Sequence, residues 1–199
     1  GEPSERSSAT GSLEILDAAT GRVRSSTSLG RYPAAAGQGF AYYSAVASAP
    51  DGRSLIVTYT RGDHNFSAPV FLRRYDARRG TPLGKPVRVG PQLDTPPLMT
   101  PDGRLLVSTD RGVKALDAET LRVIRRYPVR GDASAVSPDG RTLAIQTPDG
   151  GLRLLDLASG RVRTLARDNP GLGVEAFSPD GRMLSTWNDS GEVIVWDVR

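Results

Sequence analysis

One five-residue phrase recurs four times and constrains this chain more than anything else in it. It reads Ala49-Pro50-Asp51-Gly52-Arg53, Thr100-Pro101-Asp102-Gly103-Arg104, Ser137-Pro138-Asp139-Gly140-Arg141 and Ser178-Pro179-Asp180-Gly181-Arg182. Proline presets φ at the second position of a tight turn and aspartate is tolerated at the third. Glycine then takes the left-handed conformation that returns the chain antiparallel. A second fixed point is an aspartate that ends an apolar run: Leu16-Asp17, Tyr75-Asp76, Leu116-Asp117, Leu155-Asp156 and Trp196-Asp197. These aspartates are spaced by 59, 41, 39 and 41 residues, and the turn aspartates by 51, 37 and 41. Both series give a period near 40 with one long repeat.

Units of about 40 to 45 residues with four short strands each are the signature of β-propeller blades. The expected fold is therefore all-β, a propeller built of four-stranded antiparallel blades. The motif resembles the WD40 family. The resemblance rests on Ser-Pro-Asp-Gly-Arg before the second strand and on the turns Asp110-Arg111-Gly112, Asp149-Gly150 and Asp189-Ser190-Gly191 before the third. Val193-Ile194-Val195-Trp196-Asp197 completes it. It covers the chain after the first ten residues. Only the last repeat has the Trp-Asp pair, leucine or tyrosine stands in for tryptophan elsewhere, and no repeat has the family's Gly-His dipeptide. The buried His-Ser/Thr-Asp-Trp network that the resemblance implies is thus not expected in full, and the repeats are read as a divergent, bacterial-style set.

Taken in order, residues 1–10 are polar and aperiodic and are expected to be a disordered lead-in. Residues 11–30 read as the last two strands of a blade, 40–89, 93–129 and 133–167 as full blades, and 172–199 as a three-stranded last blade. In the first full blade the inner strands 40–48 and 54–60 look apolar on both faces, as buried strands do. About four to five blades are present, a partial ring or one that two copies complete. The segment 22–29 is a candidate outer strand for the last blade, and open first and last blades predict self-association, because propellers avoid exposed sheet edges.

Absent cysteines exclude disulfides and thiolate metal sites. No apolar run is long enough to span a bilayer and no signal-peptide pattern opens the chain, although Gly1 reads as the start of an excised piece. The expected setting is cytoplasmic, with no membrane partner. The net charge of +4 rests almost wholly on arginine, since Lys85 and Lys114 are the only lysines, a coding bias of GC-rich genomes. The arginines are spread through every repeat, where a nucleic-acid groove would cluster them with stacking aromatics, so no nucleic acid is expected.

His64 is the only histidine, so no multi-histidine metal site can form. The carboxylates Asp17, Asp117 and Asp156 recur at one blade position and read as strand-end turn formers that bond local backbone. No catalytic residue, metal or cofactor is expected. Both Arg-Gly-Asp tripeptides, at 61–63 and 130–132, lie in turns and read as coincidence.

In the arrangement the resemblance implies, the short stereotyped turns gather on one rim. The long irregular loops 31–39, 61–69, 90–97, 130–132 and 167–173 gather on the other. Irregular loops on a rigid scaffold are where binding resides, which selects His64, Asn65, Phe66, Gln92, Asp94, Asp168 and Asn169 as candidate binding residues. The bland alternative is that Phe66 plugs its own hairpin and the others solvate turns.

Three readings of function remain open. The first is a non-enzymatic platform for a protein or peptide partner, a scaffold or sensor module of a larger bacterial signalling or transcription-regulating protein. The second is a fragment of a propeller enzyme or quinoprotein-like protein, which the phrases at 115–123 and 15–23 also resemble. The third is an exported propeller that binds sugar or peptide.

Overall fold

The computed structural model describes residues 8–33, 43–60, 70–90, 95–167 and 172–199. Among them the chain forms seventeen β-strands and no helix. It divides into two compact units, Gly1–Gln92 and Leu93–Arg199.

In the first unit β1 (Ser8–Leu16) and β2 (Val23–Pro33) form a two-stranded antiparallel sheet. Ser8, Ala9 and Thr10 pair with Pro33, Tyr32 and Arg31, so the strand takes in residues expected to belong to the lead-in. The segment proposed as an outer strand for the last blade is thus the partner of β1. A four-stranded meander follows, β3 (Tyr43–Ser48), β4 (Ser54–Thr60), β5 (Val70–Asp76) and β6 (Pro82–Gly90), each strand paired with the next. Leu13 of β1 packs against Val57 of β4 and Tyr75 of β5, joining the two sheets through one small core. The central strand β4 is buried on both faces, with Ile56 and Val57 at 1% and 2% exposure. The expectation of two buried faces fails for β3, where Val46 is 55% exposed. β3 is the edge strand of its sheet, and its residues alternate between shielded and open.

The second unit stacks three antiparallel sheets. The first is β7 (Leu98–Met99), β8 (Arg104–Thr109), β9 (Gly112–Asp117) and β10 (Val123–Tyr127). The second is β11 (Asp132–Val136), β12 (Thr142–Gln146), β13 (Leu152–Asp156) and β14 (Val162–Ala166). The third has three strands, β15 (Gly173–Phe177), β16 (Met183–Trp187) and β17 (Val193–Asp197).

The middle sheet is apolar on both faces because both are covered. On one side Leu143, Ile145 and Leu155 meet Leu106, Val113 and Tyr127 of the first sheet. On the other, Ala144, Leu152 and Leu154 meet Leu184, with Ile194 and Trp196 against them. Each fully buried leucine contributes about 1.5–3 kcal/mol of hydrophobic stabilisation, and Leu106, Leu143, Leu152, Leu155 and Leu184 are all at 0% exposure. Among the described residues no helix is long and apolar enough to cross a membrane.

Candidate functional site

An antiparallel meander sorts its turns onto two ends. First-to-second and third-to-fourth turns fall at one end of each sheet. Second-to-third turns and the connection to the next sheet fall at the other.

The first end is uniform. In the Pro-Asp-Gly turns, Gly52, Gly103, Gly140 and Gly181 donate their N–H to the carbonyls of Ala49, Thr100, Ser137 and Ser178 at 2.9, 3.0, 2.8 and 2.8 Å. The four glycines have φ of +64°, +82°, +69° and +72°, the region in which they alone are unstrained. Asp51, Asp139 and Asp180 each accept the N–H of the arginine two residues on. At the other turns of this end, Asp17, Asp76, Asp117 and Asp156 accept the N–H of Thr20, Arg79, Thr120 and Ser159 at 2.9, 2.7, 2.7 and 2.5 Å. This is the turn-forming role the sequence predicts.

At several of these turns the bonds favour the ionised carboxylate. The hydroxyl of Thr20 lowers the Asp17 pKa, that of Ser159 lowers Asp156, and those of Ser137 and Ser178 lower Asp139 and Asp180. The Arg199 guanidinium brings Asp197 down to about 2. A general acid needs a carboxyl with a raised pKa and a free proton, and these groups have the opposite arrangement.

This end also carries the joints between neighbouring sheets. Arg125 of β10 donates to the carbonyls of Leu157 and Ala158 at 3.0 and 2.6 Å, and the Tyr127 hydroxyl donates to Leu157 at 2.7 Å. The same guanidinium stacks on the Tyr127 ring, 5.0 Å from its centroid. Arg163 of β14 reaches the carbonyls of Val198 and Arg199 at 2.6 and 3.3 Å. In the first unit Thr27 of β2 donates to the Gly80 carbonyl at 2.7 Å, and Ser25 donates to that of Arg79.

The opposite end is irregular. In the second unit it comprises the turns at 110–111, 148–151 and 188–192 and the connection 128–131. The connection is drawn tightly onto the neighbouring strands β9 and β12. A Cβ built on Gly112 would run into the Tyr127 carbonyl, and one on Gly131 into that of Gln146. Asn188, 8% exposed, closes its turn by accepting the N–H of Ser190 and Glu192 at 3.1 and 3.0 Å and donating to Glu192 Oε2 at 2.7 Å. Asp110 and Arg111 form an open ion pair at 3.9 Å.

The seven predicted binding residues all lie outside the described residues. His64, Asn65 and Phe66 share the β4–β5 connection, whose ends Thr60 and Val70 are paired with each other. Gln92 and Asp94 fall in 91–94, and Asp168 and Asn169 in 168–171, between β14 and β15.

Two polar contacts inside the sheets escape a reading of motifs alone. Ser108 Oγ, on a residue 4% exposed, accepts the Ala133 N–H at 2.7 Å and ties β8 to β11. Trp196 Nε1 donates to Thr186 Oγ1 at 2.9 Å, so one tryptophan–hydroxyl pair exists without a histidine. Ser108 and Thr186 each stand eight residues past the residue that opens their Pro-Asp-Gly turn, and a hydroxyl amid an apolar strand was the available signal. Among the described residues no three of His, Cys, Asp and Glu gather as a metal site would require.

Meandering four-stranded sheets packed face to face, each handing the chain to the next, are the blades of a β-propeller. The β-propeller domain of Cps50 (Swd1) from Myceliophteria thermophila superposes on this chain with a TM-score of 0.64 at 19% identity, over 80% of this chain. The aligned part is 55% of that domain's length. No protein-family model matches the sequence, and no curated protein matches it.

Proposed function

We propose that this chain is a WD40-like propeller module without enzymatic activity that binds a protein or peptide partner through its irregular rim, as a scaffold or sensor part of a larger bacterial signalling or regulatory protein. The observation that carries this is the difference between the two ends of the sheets. At one end the turns are nearly identical, their carboxylates saturated by local donors. At the other, connection lengths and side chains differ from repeat to repeat, as they do where a rigid scaffold presents a specific surface. His64, Asn65, Phe66, Gln92, Asp94, Asp168 and Asn169 are the proposed contact residues.

Cross-linking of the purified chain to its co-purifying partner tests the reading. Replacing 61–69 by a two-residue Asn-Gly turn should abolish the cross-link, and charge reversal at Arg53, Arg141 and Arg182 should leave it in place. The opposite pattern would move the binding surface to the Pro-Asp-Gly rim.

A further inference from the structure

Toward the irregular end of the first sheet of the second unit, β9 and β10 set two cations face to face. Lys114 stands directly opposite Arg126, and on its other side it is paired with Val107 of β8, which is 1% exposed. The Cβ atoms of a directly opposed pair lie about 4.5–5.5 Å apart, and like charges placed there destabilise a sheet. Burial first and the Arg126 guanidinium second hold the Lys114 pKa below the ordinary lysine range, and Arg111 adds to the lowering. Asp110 acts in the opposite sense, but it also makes the open pair with Arg111, which is 91% exposed. Arg126 and Arg130 are exposed as well.

The scaffold does not require this arrangement. Three residues before its strand-ending aspartate the middle sheet carries Arg153, and the residue opposite is the neutral Thr164. The third sheet carries Ile194 at that step. The turns between second and third strands differ likewise. Segment 148–151 has one carboxylate, Asp149, and 188–192 has two, Asp189 and Glu192, with no cation in either, whereas the first sheet's turn adds Arg111. A like-charge pair that the sister sheets do without costs stability and returns nothing inside its own sheet, as residues held for a contact outside it do.

The geometry points to an acid-binding patch in which Arg111, Lys114, Arg126 and Arg130 take an acidic, carboxylate-bearing segment of a protein partner. Carboxylates that bridge Lys114 and Arg126 offset their repulsion, the guanidinium accepting a bidentate contact and the ammonium acting as a point charge. This gives the partner its chemistry, and it rests on the rim reading for the end of the sheets at which that partner sits.

A labelled peptide Glu-Ser-Glu-Ser-Glu-Ser-Glu, whose carboxylates alternate along an extended backbone, is titrated into the full chain and followed by anisotropy. Saturable binding is expected, lost when Gln replaces Glu in the peptide and weakened as salt rises. Arg126→Gln should weaken binding by about tenfold. The same change removes the repulsion and should raise Tm by about 1–3 °C, opposite signs that a merely structural residue would not give. Arg53→Gln, Arg141→Gln and Arg182→Gln together remove three cations from the other end and should leave binding within about twofold. No saturable binding, a loss as large in that triple variant as in Arg126→Gln, or equally tight binding of a DNA duplex overturns the proposal. If the peptide fails while replacement of 61–69 still abolishes the partner cross-link, the acid-binding patch falls and the rim reading stands. A cross-link that depends instead on Arg53, Arg141 and Arg182 sinks the rim reading and this patch with it.

Discussion

Leu121 has φ of +56°, the one positive value on a non-glycine residue among the described residues. It stands four residues after Asp117, where the sister turns place Gly21, Gly80 and Gly160 with φ of +67°, +66° and +80°. The left-handed conformation costs an L-residue about 1–2 kcal/mol. The Leu121 side chain is only 4% exposed, and its burial returns about 1.5–3 kcal/mol. Burial therefore wins, and Leu121→Gly should destabilise by about 1 kcal/mol despite the relieved backbone. Leu121→Ala loses most of the burial and keeps the strain, so it should be the less stable variant by about 1 kcal/mol. Urea denaturation of the two variants checks the order, and an alanine variant more stable than the glycine one would show that the strain is negligible. The break in the turn pattern at Leu121 was visible in the sequence. Its burial was not, because no rule within the turn sets what covers the side chain.

The turns were the most legible elements, since Pro, Asp and Gly act through backbone groups two to four residues off. Their carboxylates also set an acid limit. Asp17, Asp76, Asp139, Asp156, Asp180 and Asp197 all have folded pKa values below the ordinary 3.8. A depressed folded pKa contributes stability that is complete above the unfolded value and disappears as pH falls through the folded one. The urea midpoint should thus hold above about pH 4 and fall between about pH 4 and 2, with Asp197 the last to protonate. Asp156→Asn should reduce the slope of that fall, and an unchanged slope would remove this turn from the account. Other elements were harder to read. The sequence of β3 looks as apolar as that of β4, and only sheet order distinguishes an edge strand from a central one. The rim was legible only as irregularity, because loops without turn chemistry carry no local rule that places His64, Asp94 or Asn169.

Across the second unit, the middle sheet shares one core with each neighbour, so the three sheets should unfold together. Leu143→Ala, at a site with 0% exposure, should cost about 2–5 kcal/mol and lower the protection of β8, β12 and β16 alike. Loss confined to β12 in a hydrogen-exchange map would mean that the sheets open separately. Tyr127→Phe removes one donor from the Leu157 carbonyl but leaves Arg125 on it, so a cost of only about 1 kcal/mol is expected in thermal unfolding.

The joints at the Pro-Asp-Gly end of the sheets share one property. Ser25, Thr27, Arg125, Tyr127 and Arg163 all grip main-chain carbonyl oxygens. Every amino acid supplies that acceptor, so the receiving turn can drift in sequence without losing its hold on the sheet before it. A duplicated copy inserted into the gene would be seized by its neighbour at once, with no matched pair of side chains needing to arise first. Growth and shrinkage of the array by whole repeats is thereby easier than change within one, since the grip recognises the course of the backbone and not the letters written on it.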